Sequence, residues 1–280
     1  MLARAAGAPV RVAWTREEEF RIGYSRPAGV VDIVSGVDEA GQLTAWRFRN
    51  YNSGAPGLRP PYDLPHMSNE FWRSESPLRQ GSYRALGATL NNFARESHID
   101  EWAHLLKRDP LEFRLAHTSD ARLREVLQKA AERFGWGKRK AGGGVGFGVA
   151  CNIEKGARLA LLVETEGKRV KRLVALGDFG AALNPAGLRG QMEGGIIQGL
   201  GGALWEQLKF DARDQVTRRL AQYRVPRFSD LPEMTVEIVD RREITAVGAG
   251  ESPITLPAPA IANALFAATG ERRRSLPLAV

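Results

Sequence analysis

Gln191-Met192-Glu193-Gly194-Gly195-Ile196-Ile197-Gln198-Gly199-Leu200-Gly201-Gly202-Ala203-Leu204 is the stretch on which the fold turns. Met192, Ile196, Ile197, Leu200 and Leu204 recur at helical spacing, so the segment predicts a helix. Its five glycines oppose that, each costing about 0.8–1 kcal/mol against alanine in a helix interior. A helix that keeps them needs a neighbour so close that a Cβ would collide with it. That neighbour is either another backbone, as in simple helix packing, or a bulky ligand. Gly195 and Gly199 have the spacing of a membrane helix pair, but Gln191, Glu193 and Gln198 interrupt the apolar run and exclude that reading.

Upstream, Asn184-Pro185 gives a helix-start signal, and before it 159–166 and 169–177 alternate around the turn Gly167-Lys168 as a hairpin does. Downstream, 235–239 reads as a strand and 258–269 as a helix, with Pro259 near its start and Gly270 beyond its end. The first half is similarly mixed. Residues 1–7 read as a helix end feeding a strand at 10–13, and 30–35 and 42–48 alternate around Asp38-Glu39-Ala40-Gly41. Residues 51–82, rich in Pro, Gly, Asn and Ser, predict a long loop.

A helical pattern over 86–107 follows, carried by Phe93, Ile99, Trp102, Ala103 and Leu106. Asp109-Pro110 then opens a helix over 111–116. Ser119 is read as the cap of a helix whose apolar face is Leu123, Val126, Leu127, Ala130, Ala131 and Phe134, ending at Gly135. The glycine-rich 142–148 has no strand before it and no clear helix after it, so it reads as a flexible linker rather than a phosphate loop. Strands and helices mix without a regular βαβ rhythm, which makes the fold class α+β.

The 280 residues, 43% apolar, suffice for two domains or one large unit with a buried core. The net charge of +8 either favours an anionic partner or marks a solvated face. No basic stripe with interleaved aromatics or nucleic-acid motif is present, so no nucleic-acid partner is expected. A single cysteine, Cys151, excludes an intrachain disulfide and a cysteine-ligated iron–sulfur cluster. His66, His98, His104 and His117 lack zinc-site spacing and are read as surface or capping residues. No apolar run is long enough for a membrane span and the N-terminus lacks the layout of a signal peptide, so the chain reads as cytoplasmic.

In Gly248-Ala249-Gly250-Glu251-Ser252-Pro253 a carboxylate sits in a tight glycine turn, stiffened by Pro253, Pro257 and Pro259. A lone loop glutamate is ordinarily solvated. Rigid flanks make Glu251 a candidate general base, because such a group must be held within about 0.5 Å of its working position.

These segments occur together with Pro9-Val10-Arg11-Val12-Ala13-Trp14-Thr15-Arg16-Glu17-Glu18, Pro77-Leu78-Arg79-Gln80-Gly81-Ser82-Tyr83-Arg84 and Phe93-Ala94-Arg95-Glu96-Ser97-His98-Ile99-Asp100-Glu101. Asp109-Pro110-Leu111-Glu112-Phe113-Arg114, Asp178-Phe179-Gly180, Pro259-Ala260-Ile261-Ala262-Asn263-Ala264 and Ala268-Thr269-Gly270 complete the set. Together they resemble the xanthine dehydrogenase and aldehyde oxidase family of molybdenum hydroxylases, most closely the isoquinoline 1-oxidoreductase-like large subunits. The likeness covers nearly the whole chain. It implies the C-terminal portion of the molybdenum-cofactor-binding domains, with 1–140 from the first molybdopterin-binding domain and 141–280 from the second.

The resemblance also implies a molybdopterin cofactor, alone or as its cytosine dinucleotide, whose dithiolene rather than any side chain holds the metal. Glu251 matches the family's catalytic base and Gln191 the residue lying against the cofactor. Tyr83 and Arg84 match a turn that approaches the metal through its backbone. Gly194, Gly195, Gly199 and Gly250 are placed against the pterin or its nucleotide tail. The implied reaction hydroxylates an N-heterocycle or aldehyde at an electron-poor carbon with oxygen from water, and electrons leave through iron–sulfur clusters of a partner subunit. Family large subunits are longer, and two glycine-rich segments ahead of the matching region contact the cofactor. Their absence here implies a polypeptide carrying the missing N-terminal half, on which an export signal stays open, or else a non-catalytic remnant or docking module. Phe179 stands where a cysteine is common in the family.

Overall fold

The computed structural model describes all residues except 77, 139, 212–214 and 279–280, so the Pro77 that opens the 77–84 motif lies outside the described residues. Two sheets organise the rest. In the first, β1 (Val30–Val37) and β2 (Leu43–Tyr51) form the expected antiparallel hairpin, with Ser35 opposite Trp46. A third strand, β3 (His66–Trp72), joins β2 in parallel inside the stretch read as loop. It lies at a sheet edge and buries no residue fully, so it carries no hydrophobic period to be read.

The second sheet is an antiparallel meander of β4 (Val145–Glu154), β5 (Ala157–Glu166) and β6 (Arg169–Asp178), closed by β7 (Glu233–Val239) parallel to β6. The linker reading of 142–148 gives way to β4. Gly146 and Gly148 lie in that strand, where a Cβ would run into the backbone of Ala260 and Ala264. These glycines seat α7 (Pro257–Thr269) directly on the sheet.

Alternation along the meander serves two cores. Leu159, Leu161, Val163, Leu173 and Ala175 face α7 and α6 (Pro185–Leu204). Val149, Cys151, Ala160, Leu162, Val174 and Leu176 face α5 (Ala121–Phe134) together with α4 (Pro110–Ala116) and the first sheet. α3 (Ala88–Leu105) gives Phe93 to one core and Ile99 and Ala103 to the other. Residue 140 separates the two sheets in sequence, but the core shared by α5 and β4–β6 packs across it.

Several local expectations change. α1 (Leu2–Ala6) and α2 (Arg16–Ile22) bury no residue, and the strand expected at 10–13 is absent, leaving Val10 and Val12 exposed. With no neighbouring strand to hydrogen-bond, alternation alone does not make a strand. α5 is capped by Asp120, whose Oδ1 accepts from the Leu123 amide at 2.8 Å, while Ser119 instead donates to Asp63 at 2.9 Å. His117 is of the capping kind, closing α4 as its C-cap residue, and it is buried there. Its Nδ1 donates to the Phe113 carbonyl at 2.7 Å and its Nε2 accepts from the Leu43 amide at 3.1 Å. Burial lowers its pKa and favours this neutral form. No helix among the described residues is long and apolar enough to cross a membrane.

Candidate functional site

α6 begins as its sequence predicts, with Pro185 in the first turn and Asn184 Oδ1 accepting from the Gly187 amide at 2.8 Å. Met192, Ile196, Leu200 and Ala203 enter the core. The five glycines divide into two kinds. At Gly195 a Cβ would sit 3.0 Å from the Pro253 side chain, and at Gly199 it would sit 2.8 Å from the Ile254 carbonyl oxygen and 2.7 Å from Pro257. Gly201 and Gly202 are crowded by Glu206, Pro226 and Arg26. The chain itself is therefore the close neighbour at four positions. At Gly194 a Cβ meets nothing within 4 Å, and Gly190, one turn earlier on the same exposed face, is equally open.

Arg84 draws the site together. It leaves a turn in which Ala85 and Leu86 both adopt the left-handed conformation, φ 66° and 51°, a strained arrangement for residues with side chains. Its Nε donates to the Gly250 carbonyl at 2.6 Å, its Nη1 to Gln198 Oε1 at 3.1 Å and its Nη2 to Gln191 Oε1 at 3.1 Å. Gln198 in turn donates to the Tyr83 hydroxyl at 3.0 Å. Of the residues singled out in the sequence, Arg84 thus holds Gln191 and Gly250 directly and Tyr83 through Gln198, a Cβ on Gly195 would sit 3.5 Å from its Nη2, and Gly194 is the next residue, on the exposed strip of α6. Gly195 and Gly199 point away from that strip, toward the turn that follows Glu251.

Glu251 precedes a 3₁₀ turn, Ser252–Thr255, whose four residues are all buried. The glutamate itself keeps 36% of its side chain exposed and pairs through Oε2 with the Lys155 ammonium. Lys155 sits at the β4–β5 turn with φ 51°. Neither Lys155 nor Gln198 stands out in the sequence. The one available signal was for Gln198, which follows Gln191 by seven residues and so shares its side of a helix.

The residues present fit an organic cofactor. Gly190 and Gly194 leave helix backbone bare, Gly248 and Gly250 do the same in the Glu251 loop, and the Arg84 guanidinium joins the two through the Gln191 amide and the Gly250 carbonyl. Among the described residues no three His, Cys, Asp or Glu side chains come together to hold a metal ion, so the grip available is hydrogen bonding and backbone contact. Tyr83 also lines a cavity of about 1190 Å³, together with Arg26, Glu206 and Tyr223. Glu206 accepts from the Tyr223 hydroxyl at 2.8 Å, and burial raises the pKa of its carboxyl.

Family models described as molybdopterin cofactor-binding domains match residues 1–117 and 94–232, in two successive and overlapping parts. A nicotinate dehydrogenase subunit of Pseudomonas putida is 33% identical over 99% of this chain and 27% of its own length. The beta subunit of isoquinoline 1-oxidoreductase of Brevundimonas diminuta is 30% identical over 99% of this chain and 39% of its own. The chain thus spans well under half the length of these relatives. The aldehyde oxidoreductase of Desulfovibrio gigas shares the fold, with a TM-score of 0.84 at 15% identity over 99% of this chain and 51% of that structure. With one family description running over residues 1–232 and the relatives matching almost from end to end, the chain belongs to the molybdopterin cofactor-binding domain family of the molybdenum hydroxylases.

Proposed function

We propose that this chain supplies the general base and one wall of the cofactor site in a molybdenum hydroxylase acting on an N-heterocycle or an aldehyde. The observation that carries the reading is the convergence of Arg84 on Gln191 and Gly250, which sets the bare face of α6 beside the loop of Glu251. The names of the relatives, a nicotinate dehydrogenase and an isoquinoline oxidoreductase, favour a nitrogen-containing aromatic ring as substrate. On this reading 1–140 and 141–280 are the C-terminal portions of two successive molybdopterin-binding domains.

The overall change is R–H plus water to R–OH, two protons and two electrons. Molybdopterin, when bound, supplies the two-electron redox capacity. The chain's own task is the proton. Lys155 engages Glu251 Oε2, which leaves Oε1 to accept the proton of the water-derived nucleophile. Arg84 holds the Gly250 carbonyl next to the base, Gln191 offers its amide to the cofactor, and Gly194 and Gly250 give it room. Gly195 and Gly199 act indirectly by letting the turn after Glu251 seat against α6. Cys151, which is buried, is the chain's single cysteine, and one thiol is too few to ligate an iron–sulfur cluster, so on this reading electrons leave through an iron–sulfur subunit. The remaining wall comes from the rest of the large subunit.

Expression of the chain with that remainder and an iron–sulfur subunit tests this. The complex is expected to contain molybdenum and to hydroxylate N-heterocycles or aldehydes. A folded complex that persistently lacks molybdenum would overturn the reading.

A further inference from the structure

We propose that Arg95, acting through Asn92, Asn152 and Thr255, is the device that positions Glu251, an inference that rests on the reading of Glu251 as the base. Arg95 on α3 is fully buried, and so are Asn92, Asn152 and Thr255. A guanidinium only donates. Its Nη2 donates to Asn92 Oδ1 at 2.5 Å and to Asn152 Oδ1 at 2.7 Å, so both amides must present their oxygens to Arg95 and send their NH2 groups the other way. Both NH2 groups reach one residue. Asn92 Nδ2 donates to the Thr255 carbonyl at 2.9 Å and Asn152 Nδ2 to Thr255 Oγ1 at 3.1 Å.

The Thr255 hydroxyl then has its own proton free to donate, and it does so at 2.7 Å to the carbonyl of Ser252, the residue directly after Glu251. The far side of Arg95 is tied down as well, Nη1 donating to the carbonyls of Gly57 at 2.7 Å and Arg59 at 3.2 Å. The result is a directional strut of hydrogen bonds from the 57–59 loop through α3 and β4 to the backbone of Ser252, the residue directly after the base. An apolar side chain would fill this volume without the desolvation cost of a buried cation, so packing alone does not account for it. The end of β4 and the turn after it support the base twice, since Asn152 in the strand holds the 252–255 turn and Lys155, three residues on in the β4–β5 turn, holds the Glu251 carboxylate.

Three variants of the assembled, molybdenum-loaded enzyme test the strut. Thr255→Val keeps the shape and removes the hydroxyl, Thr255→Ser keeps the hydroxyl, and Asn152→Asp keeps an acceptor for Arg95 while removing the donor to Thr255. Thr255→Val and Asn152→Asp are expected to lower kcat about 10- to 100-fold, with KM and molybdenum content within about twofold of the parent. Thr255→Ser is expected to recover most of the loss. Apart from turnover, amide hydrogen exchange across 251–256 should quicken about tenfold or more with Thr255→Val and stay at the parent rate with Thr255→Ser. Should Thr255→Val not fold, Asn152→Asp decides alone. Parent-like kcat and exchange in the Val or Asp variant, or equal losses in Val and Ser, would overturn the proposal. Glu251→Gln run alongside separates the two readings. If it keeps turnover, the base assignment fails while exchange still judges the strut. If it is inactive and Thr255→Val behaves as the parent, only the strut fails.

Discussion

The two faces of α6 carry the same residue type to opposite ends. On the inner face Gly195 and Gly199 are missing side chains because Pro253, Ile254 and Pro257 occupy that space. On the outer face Gly190 and Gly194 are missing side chains although nothing of this chain occupies the space. In the first case the helix's lost stability is returned by backbone contact within the fold. In the second it is not returned by the chain at all, and that is the physical argument for a ligand there. On the proposed reading, the inner face places the base and the outer face receives the cofactor beside it.

The sharpest way to break this contrast is to fill the inner face. Gly199→Val is expected to cost about 3 kcal/mol of stability, measured by denaturant unfolding, because its side chain must displace the Ile254 carbonyl and Pro257. A near-neutral effect would mean that the turn after Glu251 is not seated as described.

The approach to α6 gives the next effect. Burial alone would raise the pKa of the Asp178 carboxyl, but hydrogen bonds from Arg122, the Gly180 amide and Arg241 outweigh it and hold the pKa at about 2. That lies below the ordinary 3.8, so the stabilisation is complete above roughly pH 4 and fades as pH falls toward 2. Asp178→Asn should therefore lower stability by about 2 kcal/mol at neutral pH and flatten the acid-side decline, as thermal melts from pH 2 to pH 7 will show.

The smallest effect has the opposite sign. Gly194→Ala should stabilise the cofactor-free chain by up to about 1 kcal/mol, since it adds a helix-forming side chain in open space. The same change should reduce the molybdenum content of the assembled enzyme. Higher stability with undiminished molybdenum would show that the outer face does not meet the cofactor.

Much of this arrangement is legible in the sequence. The 3.6-residue spacing of α6, the Asn184-Pro185 start and the hairpin of β5 and β6 depend on local patterns that survive tertiary packing. The glycine helix and the proline-stiffened Glu251 loop stand out for the same reason, because both break local propensity and so call for a partner. What the sequence hides is set by distance. Arg84 meets Gly250 across 166 residues and Asn152 meets Thr255 across 103, and no periodicity encodes such pairings. α3 shows the limit clearly. Its apolar spacing is readable, but its buried Asn92, Arg95, Glu96 and Asp100 resemble an exposed face until their partners are known. β4 was concealed differently, since the glycines that admit α7 look, one by one, like a flexible linker.

Glu251 as the proton acceptor of a loaded site is the central claim. The direct measurement is kcat/KM of Glu251→Gln in the assembled enzyme, with molybdenum determined on the same sample. Molybdenum at the parent level with turnover lower by about 10³-fold or more is the expected result, at the upper range of what a positioned base contributes. Turnover within about tenfold of the parent at equal molybdenum would contradict it.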